Sequence, residues 1–185
     1  MMKSEIKRVL FLDRDGVINV DKHFAFRVEE MVFVEGIFQL CKYFKSINFE
    51  IVIVTNQSGV SRGLFSEEEL KKVMNFIVEK FKSEGIVILT YLYCPHGPAD
   101  LCECRKPLPG MFTQAIQKFN VRAEDCISVG DRERDILAAM AAGIPLNYLL
   151  LSNHQDESHM FGPTVVNSLA EIIQIHQSSP PESQN

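Results

Sequence analysis

The sequence has 185 residues, enough for one domain with a sizeable buried core and too few for two of ordinary size. A hydrophobic fraction of 46%, a charged fraction of 23% and a formal net charge of −5 describe an acidic globular chain and argue against nucleic acid or an anionic membrane as its main partner. The apolar run that begins at Val9 is broken at Asp13, too early for a secretory signal or a membrane helix, so the chain is expected to be cytoplasmic; it is also expected to be a monomer.

In chain order, Val9–Leu12 is a short apolar run that ends abruptly in charge and reads as a strand buried on both faces. Gly36–Ser46 carries Ile37, Leu40, Cys41 and Phe44 at helical spacing, and Ile51–Val54 is a second buried strand, β-branched throughout. Ser66 and Glu69 form a capping-box pattern. Leu70, Val73, Met74, Ile77, Val78 and Phe81 then follow the helical period until Gly85 stops it. Ile86–Tyr93 contains a third strand, and a polar loop with prolines and cysteines runs to Pro109. Gly110–Phe119 predicts a helix, Ile127–Val129 a strand, Asp131–Ala142 an Ala-rich helix stopped by Gly143, Tyr148–Leu151 a strand and Ser168–His176 a terminal helix. The domain is expected to span residues 1–176, with 177–185 a polar, disordered tail. Strands alternating with helices imply an α/β, doubly wound parallel sheet with helices on both faces, whose ligands bind beyond the carboxyl ends of the strands.

The unusual residues stand at those ends. Asp13 and Asp15 follow the first strand, and alternate residues of an extended chain point to the same side. Two such carboxylates need a cation or a shared proton unless they are simply a solvated turn. Thr55-Asn56-Gln57-Ser58-Gly59 follows the second strand. It offers hydroxyl, amide and backbone donors suited to phosphate oxygens, or an ordinary polar turn. Arg105-Lys106 precedes Pro107. Asp131 follows Gly130 at a predicted helix start, where a carboxylate is stabilised with or without a function, and Asp135 comes four residues on.

Taken together, Asp-x-Asp, then Thr, then Lys, then Gly-Asp resembles the four ordered motifs of the haloacid dehalogenase superfamily of phosphotransferases, from Val9 to Leu151. The stretches Phe11–Asp21, Thr55–Gly63 and Cys104–Met111 are similar to the D-glycero-D-manno-heptose-1,7-bisphosphate phosphatase family, a close relation of the histidinol-phosphate phosphatases. The resemblance implies an essentially cap-less domain with a zinc-bearing loop, acting on a small phosphorylated substrate. It implies Asp13 as nucleophile and Asp15 as general acid and base. Mg²⁺ would be held by Asp13, Asp131 and the Asp15 backbone carbonyl, with Thr55 and Asn56 on phosphoryl oxygens and Lys106 neutralising charge. Asp21, Lys22, His23, Phe24, Gln57, Ser58, Arg105 and Arg132 match substrate-contacting positions, and the resemblance leaves Asp135 either next to the metal or behind its ligands. Val17 stands where many relatives have Thr, and Arg132 where heptose-type relatives often have Lys.

Cys94, His96, Cys102 and Cys104 supply a full tetrahedral Zn²⁺ set with no open position, which reads as structural; the other reading is free thiols and a surface imidazole. The heptose bisphosphate is favoured over histidinol phosphate as substrate, although the short zinc-loop spacing is typical of the histidinol-phosphate relatives. A receiver domain shares the acidic Mg²⁺ pocket, Thr and Lys, but it lacks the Asp-x-Asp pair and the zinc loop. An inactive binding module on the same fold is the other rival.

Overall fold

The computed structural model describes residues 8–22, 26–151 and 162–178. A single parallel sheet organises them, in the order β3-β2-β1-β4-β5-β6. The strands are β1 (Arg8–Leu12), β2 (Phe49–Asn56), β3 (Ile88–Cys94), β4 (Ile127–Gly130), β5 (Leu146–Leu150) and β6 (Thr164–Val166). The helices are α1 (Ile37–Ser46), α2 (Glu67–Ser83), α3 (Gly110–Phe119), α4 (Glu133–Ala141) and α5 (Leu169–Ser178).

The central strands are apolar at consecutive positions because both faces are covered. On one side Leu10, Leu12, Ile51 and Ile53 pack against α1, α2 and α5 through Phe44, Met74, Ile77 and Ile172. On the other, Val9, Phe11, Val52 and Val54 meet Met111 and Phe112 of α3 and Ala138 and Ala139 of α4. Right-handed crossovers explain this division. The chain winds outward from β1 to β3 over one face, then crosses back to β4 over the other and winds outward again. The order therefore reverses between β1 and β4, and a crevice opens beyond their carboxyl ends.

All predicted strands and helices form, with shifted ends. Gly36 caps α1 with φ 85° rather than joining it, and α4 begins two residues after Asp131, which lies in the β4–α4 loop. The Ser66 capping box forms as predicted: Glu69 N donates to Ser66 Oγ at 3.2 Å and Ser66 N donates to Glu69 Oε2 at 2.8 Å. β6 and the short 3₁₀ turns Val28–Glu30 and Ala123–Asp125 have no counterpart in the sequence pattern; each spans only three residues, too short to show a period. α5 continues through Gln177 and Ser178, the first two residues assigned to the tail, and 179–185 lie outside the described residues.

The segment after β1 stays small. Val20 N donates to Val32 O at 2.8 Å and Val34 N to Ile18 O at 3.0 Å, so residues 18–20 pair with 32–34 and only 21–31 lie between. Among the described residues, no helix is long and apolar enough to cross a membrane.

Candidate active site

The crevice at the strand reversal is lined by Asp13, Asp15, Thr55, Lys106 and Asp131, with Asp21, Asn56, Arg132, Arg134 and Asp135 around them. Asp13 extends the ladder one residue past β1, its N–H donating to Val129 O at 3.0 Å. Adjacent strand ends thereby carry Asp13 and Asp131 to one place. Gly16 (φ 87°) lets the chain turn beside them, and a Cβ on it would overlap the Asp131 carboxylate.

Lys106 is 2% exposed and lies at the centre. Its Nζ donates to Asp13 Oδ1 at 2.9 Å and to the Val54 carbonyl at 3.0 Å, and it pairs with Asp135 Oδ1 at 2.6 Å. Burial opposes its charge, but the two carboxylates outweigh burial and hold its pKa above the usual lysine value. The Asn56 side chain fixes the Lys106 backbone from both sides, accepting from its N–H at 3.1 Å and donating to its carbonyl at 3.0 Å. Asp135 also accepts from Arg132 N at 3.1 Å, which satisfies a donor at the start of α4.

Asp15 is gripped from three directions. The Arg14 guanidinium, 1% exposed, meets both its oxygens, at 2.7 and 2.6 Å through Nη2. Asn19 Nδ2 reaches Oδ1 at 3.0 Å and Gln57 Nε2 reaches Oδ2 at 2.9 Å. Gln57 Nε2 also donates to Thr55 Oγ1 at 2.9 Å. Thr55 is left with its own hydroxyl proton to give.

The carboxylates strain against one another. Oxygens of Asp13, Asp131 and Asp135 lie within 4.8 Å of one another. Burial, aided by the charges of Asp13 and Asp135, pushes Asp131 up to about 8. Burial also pushes Asp13 up to about 6, against the pull of Lys106. Asp131 Oδ2 is buried without a hydrogen bond, and Arg132 Nε, 3.3 Å away, is not aligned to supply one. An orphaned carboxylate oxygen among close carboxylates fits a hard divalent cation such as Mg²⁺.

A second cluster lies at the end of β3. The ligand atoms of Cys94, His96, Cys102 and Cys104 fall within 4.8 Å of one another, with the Cys94 and Cys104 sulfurs 3.1 Å apart and the Cys94 and Cys102 sulfurs 3.8 Å apart. A tetrahedral zinc with Zn–S of about 2.3 Å requires sulfur separations near ~3.8 Å; the donor set and the Cys94–Cys102 spacing fit that ion, while the Cys94 and Cys104 sulfurs would move apart to accept it. The loop is sewn to the Thr55–Gly63 turn: Gln57 N donates to Cys94 O at 2.7 Å and Ser61 N to Pro95 O at 3.2 Å.

The other predicted residues separate. Asp21 and Arg132 line the cleft and approach each other at 3.4 Å. Gln57 and Ser58 are buried behind it, and Gln57 serves Asp15 and Thr55 instead of facing the opening. Arg105 Nη1 donates to the His96 carbonyl at 3.0 Å and does not line the cleft. Lys22 is exposed, and His23 and Phe24 lie outside the described residues. Sequence reasoning missed Arg14, Asn19 and Arg134. Alternation in an extended chain sends Arg14 away from the two aspartates, yet its guanidinium reaches the carboxylate of its neighbour Asp15.

A HAD-hydrolase-like family model matches residues 103–172, which include Lys106 and Asp131. The chain is 38% identical over 154 residues to the D-glycero-alpha-D-manno-heptose-1,7-bisphosphate 7-phosphatase of Campylobacter jejuni, covering 83% of this chain and 88% of that protein. It is 35% identical over 172 residues to the beta-anomer enzyme of Yersinia pestis, covering 88% and 92%. A crystal structure of the D,D-heptose 1,7-bisphosphate phosphatase from B. bronchiseptica, complexed with magnesium and phosphate, superposes with a TM-score of 0.84 at 32% identity, covering 94% of this chain and 99% of that one.

The raised carboxylates set a pH dependence. Without a cation, Asp131 holds a proton up to about pH 8 and Asp13 up to about pH 6. Mg²⁺ must displace those protons, so its affinity should rise as pH climbs from about 6 to about 8 and level off above. Stability of the metal-free protein runs the other way. The folded state binds more protons than the unfolded one between the ordinary 3.8 and about 8, so stability falls across that window as pH rises. Calorimetric titration of Mg²⁺ in buffers of different ionisation enthalpy will show proton release; an affinity flat from about pH 6 to about pH 8 contradicts competition between proton and metal at these carboxylates.

Proposed function

Because this chain belongs to the HAD-like family of D-glycero-D-manno-heptose-1,7-bisphosphate 7-phosphatases, we propose that Asp13 is the nucleophile that removes the 7-phosphate of such a heptose bisphosphate. The observation that carries this reading is the buried Lys106 ammonium, 2.9 Å from Asp13 Oδ1, beside the orphaned Asp131 oxygen.

A carboxylate oxygen of Asp13 attacks phosphorus, and the bond from phosphorus to the sugar oxygen breaks as Asp15 gives that oxygen a proton. The product on the enzyme is an acyl phosphate at Asp13. Asp15, now a carboxylate, takes a proton from a water that attacks phosphorus, and orthophosphate leaves with Asp13 restored. Arg14, Asn19 and Gln57 hold the Asp15 side chain in one rotamer for both transfers. Thr55 donates its free hydroxyl proton to a phosphoryl oxygen, and Lys106 balances charge that builds on the phosphoryl group. Asn56 acts on Lys106, because both ends of its amide are spent on the Lys106 backbone. A bound Mg²⁺, held by Asp13, Asp131 and the Asp15 main-chain carbonyl, supplies positive charge against the carboxylates and the incoming phosphate.

We also assign a structural Zn²⁺ to Cys94, His96, Cys102 and Cys104. It would order a polar loop and fix Arg105 and Lys106, which follow the last ligand directly. We also propose a monomer, and a location in the cytoplasm, whose reducing conditions best preserve thiolate ligands.

Asp13→Asn is expected to lower kcat by at least ~10³-fold while keeping the fold, because an amide is a poor nucleophile; near-normal Mg²⁺-dependent phosphate release by this variant would refute the assignment. Elemental analysis should find one zinc per chain, and Cys102→Ser should lower both zinc content and melting temperature. Protein purified without chelators that contains no zinc sinks the structural-zinc reading. For the substrate, kcat/KM on heptose 1,7-bisphosphate is compared with that on histidinol phosphate. A higher value for the bisphosphate is expected; the reverse would overturn the substrate and leave the mechanism in place.

A further inference from the structure

Within the cysteine cluster at the end of β3, one pair of sulfurs differs from the rest. Cys94 Sγ lies 3.1 Å from Cys104 Sγ and 3.8 Å from Cys102 Sγ. A disulfide needs ~2.05 Å and a pair of zinc thiolates about 3.8 Å, so the Cys94–Cys104 separation falls between the two and either is reached by a movement of about 1 Å or less. The two fates exclude each other, because zinc binds the thiolate and a disulfide sulfur is no longer one. Access divides the pair as well. Cys104 is partly exposed, whereas Cys94 is buried at the end of the strand. An oxidant arriving from solvent meets Cys104 first and leaves Cys94 as the thiol behind it. Cys102 is also partly exposed but stands farther from Cys94, and Cys41 and Cys126 are buried in the two apolar cores.

Backbone on both sides of this pair is tied to the cleft. The Cys94 carbonyl accepts from Gln57 N at 2.7 Å, the Pro95 carbonyl from Ser61 N at 3.2 Å and the His96 carbonyl from Arg105 Nη1 at 3.0 Å. Lys106 follows Cys104 by two residues. A bond that draws Cys104 onto Cys94 frees His96 and Cys102 from a shared metal and removes the order that zinc gives to a polar loop. Disulfides that form in a reducing compartment are mostly transient and sense oxidants.

We propose that Cys104 and Cys94 form a reversible oxidation site that exchanges zinc for a disulfide and lowers turnover, an assignment that rests on the structural-zinc reading of the same four ligands. The oxidant is a hydroperoxide. The Cys104 thiolate attacks its terminal oxygen, the O–O bond breaks, and the alkoxide leaves as an alcohol (water for hydrogen peroxide) with a proton from solvent. The Cys94 thiolate then attacks the sulfur of the resulting sulfenic acid. The S–S bond forms, the S–O bond breaks, and hydroxide leaves as water with a second proton. Two thiolates, one hydroperoxide and two protons thus give one disulfide, one alcohol and one water, and Zn²⁺ departs once two of its ligands are gone. A thiol reductant with Zn²⁺ reverses the change.

The test treats reduced, zinc-loaded protein with hydrogen peroxide, follows zinc with a chromogenic chelator, and maps thiols by alkylation after denaturation; these two measurements do not depend on the substrate. One Zn²⁺ should be released per disulfide, with Cys94 and Cys104 protected from alkylation and Cys41, Cys102 and Cys126 labelled. The kcat for phosphate release from heptose 1,7-bisphosphate should fall at least about tenfold, through displacement of Lys106, and return with dithiothreitol and Zn²⁺. Cys102→Ser keeps the pair and should form the same link. Zinc that stays bound with all five thiols titratable, or a link that includes Cys102, overturns the proposal. A complete Cys94–Cys104 link with an unchanged kcat overturns the control of turnover. Reduced protein that holds no zinc overturns the structural-zinc reading and this assignment with it.

Discussion

An ammonium group almost shut off from water sits between two carboxylates, and separate parts of the chain converge on it. Lys106 comes from the loop after β3, Asp13 from the end of β1, Asp135 from α4 and the accepting carbonyl of Val54 from β2. Burying a charge costs several kcal/mol even after the protein relaxes, and only well-placed opposite charges and hydrogen bonds recover it. The geometry around Nζ meets that demand, and it also ties the two halves of the sheet together across the point where the strand order reverses. Breaking the arrangement on one side would leave a buried charge unpaired on the other, which is why Asn56 secures the Lys106 backbone as well.

The negative side of the site is set by backbone more than by side-chain choice. Asp13 and Asp131 stand on neighbouring strands, and the hydrogen bond from Asp13 N to Val129 O prevents them from drifting apart. Gly16 gives up its side-chain volume to the Asp131 carboxylate. The carboxylates cannot relax their repulsion by moving, so they relax it by holding protons until a cation replaces them. The zinc-type cluster works at a greater distance. Its loop hydrogen-bonds to the turn that carries Gln57 and Ser61, so order at the cysteines is passed to the residues that hold Asp15.

Much of this was legible in the sequence because the sheet is parallel and buried. Continuous apolar runs such as Leu10–Leu12 and Ile51–Val54 can be read without a period, and the polar residues just beyond them mark the ligand-binding rim. Helix ends were less legible where the capping is done by backbone conformation, as at Gly36, or where a loop residue resembles a helix start, as at Asp131. Side-chain commitments were least legible. Gln57 has the chemistry to bind phosphate, but its amide is taken by Asp15 and Thr55. Arg14 looks like a spacer between two aspartates, yet its guanidinium folds over onto the carboxylate next to it in sequence. Such pairings depend on the local path of the backbone, which residue type and spacing do not encode.

The pairing of residues 18–20 with 32–34 confines the excursion after β1 to positions 21–31. A segment of that length is far below the size at which a chain builds a core of its own, so it cannot act as a separate domain folding over the cleft. An acyl phosphate formed on Asp13, as proposed above, would face solvent with no domain-sized cap over it. In an enzyme that passes phosphate from one sugar to another, such exposure would drain the intermediate before the acceptor arrived. In a hydrolase the acceptor is the solvent itself, so the lack of a domain-sized cap carries no such penalty.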